Sequence, residues 1–220
     1  MSQISNPTRD RAHHRAAPLP AYTLAAQGSR LAWSELHRLI VVGAFVAAST
    51  APSVVAALLQ RPIVALVSLV LPATTAMGAA RFADELVQGN RPRWFAVRRH
   101  DVRLGILLAA ALSVASLLAS PRSGAPAVGY VLFACIALLT PYALAYSAAR
   151  EQYGLAAWRG AVILVALRPS WALTLLALGC ISAFAVVASW GVLGLVVPPW
   201  LFTIASCAVR RLLQENRVIE

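Results

Sequence analysis

Six apolar runs, each near the ~20 residues that a helix needs to cross ~30 Å of hydrocarbon, constrain this sequence more than anything else in it. They cover residues 39–59, 63–80, 104–119, 127–149, 171–189 and 192–209. The third is short, and little more than Trp190 and Gly191 separates the last two. Five spans with one re-entrant or surface segment is therefore the competing count. Composition agrees with a bilayer home: 60% of the 220 residues are hydrophobic and only 12% are charged, where a soluble domain carries about 25% charged residues. The expected fold is an all-α, polytopic transmembrane helical bundle of about six spans with short amphipathic cytoplasmic helices.

Arginine placement tests the count independently. All 19 basic residues are arginine, and the net charge is +11. Numbering the polar segments in chain order, alternate segments hold 17 and 2 arginines. That bias follows the positive-inside rule and predicts both termini in the cytoplasm. A wrong span number would scramble the alternation, so six is the expectation.

No Asp, Glu, Lys, Arg or His stands in the middle of a run. Ionisable groups there are costly and mark proton relays or ion paths, so a proton-coupled antiporter is disfavoured. Pro52, Pro72, Pro141, Pro198 and Pro199 sit inside or at the edges of runs, where each removes a backbone hydrogen bond and can kink a helix. Ser49, Thr50, Ser53, Thr74, Thr75, Thr140 and Tyr142 lie near them, either as a polar seam or bonded back to their own helices. Small residues at four-residue spacing, Gly43-Ala47-Ala51 and Ala76-Ala80, suit close helix contact. Trp33, Trp158, Trp171 and Trp190 fall near run ends, where indoles prefer the headgroup region. Trp200 lies deeper and needs either a partner for its N–H or a shifted span boundary. Cys135, Cys180 and Cys207 read as small buried hydrophobes.

Outside the runs, residues 1–35 form a partly disordered cytoplasmic tail, with a short surface helix over 22–37 whose apolar residues are Leu24, Leu31, Trp33 and Leu36. Residues 36–212 form the membrane domain, and 213–220 a second cytoplasmic tail. Within the domain, 81–103 predicts a helical hairpin on the inner leaflet. Its first arm sets Phe82, Leu86 and Val87 opposite Asp84 and Glu85, and Gly89-Asn90 ends it. Its second arm opens at Pro92 and places Trp94 and Phe95 among Arg93, Arg98, Arg99 and Arg103. Trp94, Phe95, Arg98 and Arg99 are the candidate contact residues. An anionic inner leaflet or a cytoplasmic protein suits them, and nucleic acid does not. Residues 151–168 predict a similar surface helix bearing Trp158, Val162, Ile163 and Leu167, stopped by Pro169.

Catalytic patterns are missing. There is no phosphate loop, dinucleotide glycine motif, HExxH or Cys/His cluster. The one adjacent acid pair, Asp84-Glu85, points in two directions on a helix. Neither an enzyme nor a cofactor or metal site is expected.

The stretch Leu71-Pro72-Ala73-Thr74-Thr75-Ala76, followed by Ala83-Asp84-Glu85-Leu86-Val87-Gln88-Gly89 and Arg93-Trp94-Phe95, resembles the YesL-like family of bacterial membrane proteins. Pro141-Tyr142-Ala143-Leu144-Ala145-Tyr146, the helix over 155–168 and Val209-Arg210-Arg211-Leu212 are similar too, so the likeness covers 36–212. Leu71 stands where that family has glycine, and Thr75 where it has alanine. The resemblance implies a bacterial plasma-membrane protein and singles out Pro72, Ala73, Thr74 and Thr75 as the candidate functional segment. Family members are associated with carbohydrate ABC importers, which implies importer subunits as partners and a non-enzymatic accessory role in sugar uptake. A small transporter or channel for a neutral solute, or a membrane scaffold without ligand, are the alternatives.

Overall fold

The computed structural model describes residues 20–90, 102–120, 124–189 and 191–216. Among them the chain is an all-α bundle without strands. Its helices are α1 (Ala21–Ser34), α2 (Leu36–Leu58), α3 (Pro62–Ser68), α4 (Val70–Val87), α5 (Val102–Ala119), α6 (Pro126–Arg150), α7 (Leu155–Leu167), α8 (Pro169–Ala188) and α9 (Val197–Asn216). A 3-10 turn, Val192–Leu195, leads into α9. Residues 1–19, 91–101, 121–123 and 217–220, and Trp190, lie outside the described residues.

Five helical stretches are long and apolar enough to cross a bilayer: α2, α3 with α4, α5, α6 and α8. Only 22–28% of the most apolar stretch of each is buried inside the protein. Large apolar side chains such as Phe45, Leu58, Ile181 and Phe184 point outward, while Ala79, Ala80, Ala83, Ala109 and Ala115 point inward. Water would penalise that inverted pattern, and lipid favours it because small residues let helices approach. The chain is a multi-pass membrane protein.

Several boundaries differ from the sequence expectation, each for a definable reason. The second run divides at Leu69, because Pro72 has no N–H to offer the Ser68 carbonyl one turn back. The chain stays helical on both sides, so no tight turn forms before Pro72. Pro52 and Pro141 are likewise passed by continuous helices, α2 and α6. The first arm of the expected hairpin is not a separate surface helix. It is the last turns of α4, closed where expected by Gly89 at φ 73°, with N–H bonds from Gly89 to Leu86 and from Asn90 to Glu85. Asp84 is buried in that helix instead of lying on a solvated face.

The sixth run is not one apolar helix either. Gly191 turns the chain at φ 86°, the 3-10 turn follows, and α9 starts at Val197 with Pro198 and Pro199 in its first turn. Proline is tolerated there because first-turn N–H groups have no helical acceptor. α9 carries Arg210, Arg211 and Glu215 and is not among the five apolar spans. It is nonetheless the core of the bundle: every residue from Thr203 to Val209 is buried. α1, α4, α6 and α8 surround it, with α2 touching it as well. Met77 and Ala80 pack with Phe202, and Asp84 pairs with Arg210, so α9 runs parallel to α4. It therefore ends where α4 ends, the direction that a sixth crossing would have.

α1 begins within a residue of the expected helix and buries Leu24, but its remaining inward residues are Gly28 and Ala32, and Trp33 faces outward. It packs antiparallel along α9: Leu24 shares a core cluster with Ala208 and Leu212, and Gly28 sits against Ile204. A side chain at Gly28 would meet the Ile204 backbone, so this glycine sets the α1–α9 distance. α7 also ends where expected, before Pro169, yet its inward face is Ala157, Gly160, Ala161 and Leu164. Val162, Ile163 and Leu167, the apolar residues of the expected surface helix, point outward from the bundle. Gly160 lies so close to the Tyr146 ring that a Cβ would overlap it. Trp171 is buried and Trp158 partly buried against the core clusters. Cys207 is buried, whereas Cys135 and Cys180 are exposed on the flanks of α6 and α8.

Candidate functional site

Several arginines among the described residues meet at one end of the bundle. Arg81 lies over the Tyr153 ring at 5.8 Å, and the Arg103 Cβ approaches Gly154. Arg168 pairs with Glu215 at 3.5 Å and covers Trp171 at 5.6 Å. Arg150 and Arg210 line one small cavity of about 110 Å³ between α6 and α9. These contacts gather the ends of α4, α6 and α9, the start of α8 and the ends of α7 into one arginine-rich end. Arg61, in the α2–α3 connection, lies apart from it.

At this end the chain places its one fully enclosed carboxylate among the described residues. Arg210 donates from Nε to Asp84 Oδ1 at 2.5 Å and from Nη2 to Oδ2 at 2.7 Å. Gln88, one turn on, donates its amide to Asp84 Oδ2 at 2.9 Å. The Asp84 side chain is 4% exposed and that of Arg210 is 28% exposed. A bidentate fork of this kind suits a guanidinium, whose planar donors match a carboxylate in a way an ammonium does not. Sequence reasoning missed it, since Asp84 and Arg210 are 126 residues apart and no local pattern joins them.

Outside this pair opens a cleft of about 870 Å³ between α1, the end of α4 and α9. Arg30, Arg210 and Arg211 line it together with the amides of Gln27, Gln88 and Gln214. Leu24, Leu31 and Val87 supply its apolar wall. No carboxylate is among the described lining residues. Arg30 is exposed and makes no ion pair among the described residues. Arg211 Nε lies 3.4 Å from Glu215 Oε1, an ion pair without hydrogen-bond geometry.

The segment singled out by resemblance sits elsewhere, in the interior of α4. Ala73 is buried against α5, and the Thr74 methyl group lies against Gly105. Thr75 Oγ1 is 2.7 Å from Ser49 Oγ on α2, and Ser68 donates to Ser53 at 2.9 Å. The anticipated polar seam therefore exists as two hydroxyl pairs between α2 and the α3–α4 stretch. Thr50, Thr74 and Thr140 bond back to their own helices instead. Pro72, Ala73, Thr74 and Thr75 line neither of the two cavities above. Trp94, Phe95, Arg98 and Arg99 lie outside the described residues. Trp200 finds the partner it needs: its indole N–H donates to Ser29 Oγ at 3.0 Å.

In comparisons with family models, curated proteins and solved structures, nothing matches this chain.

Proposed function

We propose that this chain is a non-enzymatic accessory membrane protein that presents its arginine-rich end to a partner. The observation that supports this is where open polar surface occurs. Most hydroxyls within the spans are bonded to each other or to their own helices, with Tyr142, Ser147 and Ser206 buried without a hydrogen-bond partner among the described residues, while guanidinium and amide groups line an open cleft at one end. By the positive-inside rule that end is cytoplasmic and both termini lie with it. The plasma membrane of a bacterium and a link to carbohydrate uptake rest on the resemblance of 71–95 to YesL-like proteins. On that basis the partner is a subunit of an ABC importer, and Trp94, Phe95, Arg98 and Arg99 belong to the contact.

The test is copurification of the tagged full chain from its native membrane in a gentle detergent, with mass spectrometry of what accompanies it. Importer permease or ATPase subunits in near-equal amounts are the expected result. Their loss on joint replacement of Trp94, Phe95, Arg98 and Arg99 locates the contact. A protein that arrives alone overturns the accessory role. The neutral-solute reading then gains weight, with Ser49, Thr75 and Pro72 as the residues to change in a liposome flux assay.

A further inference from the structure

We infer that the cleft between α1, the end of α4 and α9 is a binding site for a phosphate-bearing anion. The inference goes beyond the accessory role and does not need a protein partner. Three guanidinium groups on two helices, Arg30 on α1 with Arg210 and Arg211 on α9, line one concave space with no carboxylate among its described residues. Asp84 offsets one of these charges by binding Arg210 from behind, and Glu215 engages Arg211 only at 3.4 Å. Arg30 is exposed and has no ion-pair partner among the described residues, while Arg211 Nε lies 3.4 Å from Glu215 Oε1 without hydrogen-bond geometry. An anion in the cleft offsets the remaining guanidinium charge.

Chemistry narrows the anion. Guanidinium groups pair with tetrahedral phosphate oxygens through two donors each, and side-chain amides complete the shell as neutral donors. Gln27, Gln88 and Gln214 stand in the same lining. The volume of about 870 Å³ is far larger than inorganic phosphate requires and leaves room for a substituent on the phosphate. Leu24, Leu31 and Val87 give that substituent an apolar wall. The esterified phosphate of an anionic phospholipid headgroup and a soluble phosphate ester such as glycerol phosphate share this chemistry.

The experiment separates the two sources. Delipidated full-length protein is placed in phosphatidylcholine nanodiscs with or without phosphatidylglycerol, and retained lipid is counted by native mass spectrometry. In parallel, glycerol phosphate is titrated into the protein in nonionic detergent and thermal unfolding is followed. Arg30→Gln and Arg211→Gln each remove one charge-assisted contact and are expected to weaken binding about tenfold. Arg159→Gln removes an exposed charge on α7 outside the cleft and is expected to change nothing. Phosphatidylglycerol retention that only the cleft variants lose assigns the site to lipid. Protection by glycerol phosphate without lipid retention assigns it to a soluble ester. Binding of neither probe, or equal loss in Arg159→Gln, overturns the inference. Arg30 is exposed and holds no ion pair among the described residues, so Arg30→Gln keeps the test decisive if Arg211→Gln unfolds.

Discussion

Removing Arg210 tests the centre of the fold most directly. In Arg210→Met the Asp84 carboxylate stays behind, 4% exposed, with the Gln88 amide as its remaining donor among the bonds described. Breaking one side of a buried ion pair costs 3–5 kcal/mol, because the other charge is left uncompensated. Arg210 is itself 28% exposed, so water partly reaches the vacated space and the lower figure, about 3 kcal/mol, applies. That corresponds to more than a hundredfold in the folded-to-unfolded ratio. Asp84→Asn keeps the shape and the Gln88 contact but removes the charge, and costs about 2 kcal/mol through the lost charge-assisted bonds. The double variant leaves no charge uncompensated and should cost about 2 kcal/mol less than the sum of the singles. The assay is reversible unfolding in mixed micelles at rising SDS fraction, for wild type and all three variants. Single effects below about 0.5 kcal/mol with additive behaviour would refute the reasoning, since a surface pair gives that result.

Further expectations follow from other contacts in the same assay. Gly43→Ala drives a Cβ into the Leu195 carbonyl and should destabilise by more than 2 kcal/mol. Gly179→Ala in α8 meets nothing within 4 Å and should stabilise by about 0.5–1 kcal/mol through lower backbone entropy in the unfolded chain. Trp200→Phe removes the Ser29 hydrogen bond, and Ser29→Ala removes it from the other side. Each should cost about 1 kcal/mol, and the pair should couple in a double-mutant cycle. Thr75→Val breaks the α2–α4 hydroxyl pair and should cost about 0.6 kcal/mol, the typical worth of an interhelical hydrogen bond in a membrane.

The spans were legible in the sequence where the partner surface was lipid. α5, α6 and α8 begin and end within a few residues of the apolar runs, because lipid-facing helices must stay apolar along their hydrocarbon length. The sixth run was misjudged in its bounds: hydropathy joined the Val192–Leu195 turn to the first part of α9, and α9 continues to Asn216 past the apolar stretch because its sides from Thr203 to Val209 face other helices. Hydropathy measures distance from water and is blind to whether protein or lipid provides the cover. In α7 the residues of the expected surface face, Val162, Ile163 and Leu167, are exposed, while Ala157, Gly160 and Ala161 turn inward to approach α6, a small-residue packing face that hydropathy does not mark.

At the arginine-rich end, the sequence supplied the right residues but not their assignments. Spacing placed Arg81, Arg150, Arg168 and Arg210, which meet at one end among the described residues, on the same side of the expected topology, but it set Asp84 beside Glu85 on an outer face. Only the parallel course of α4 and α9 brings Arg210 to it. That geometry also explains how one arginine serves two purposes. A guanidinium carries five N–H donors, and Asp84 uses Nε and one proton of Nη2. Three donors remain on a side chain that lines the cleft. Arg210 can therefore hold α4 against α9 and still take part in binding an anion. Its replacement confounds stability with binding, which is why Arg30 and Arg211 are the residues that separate them.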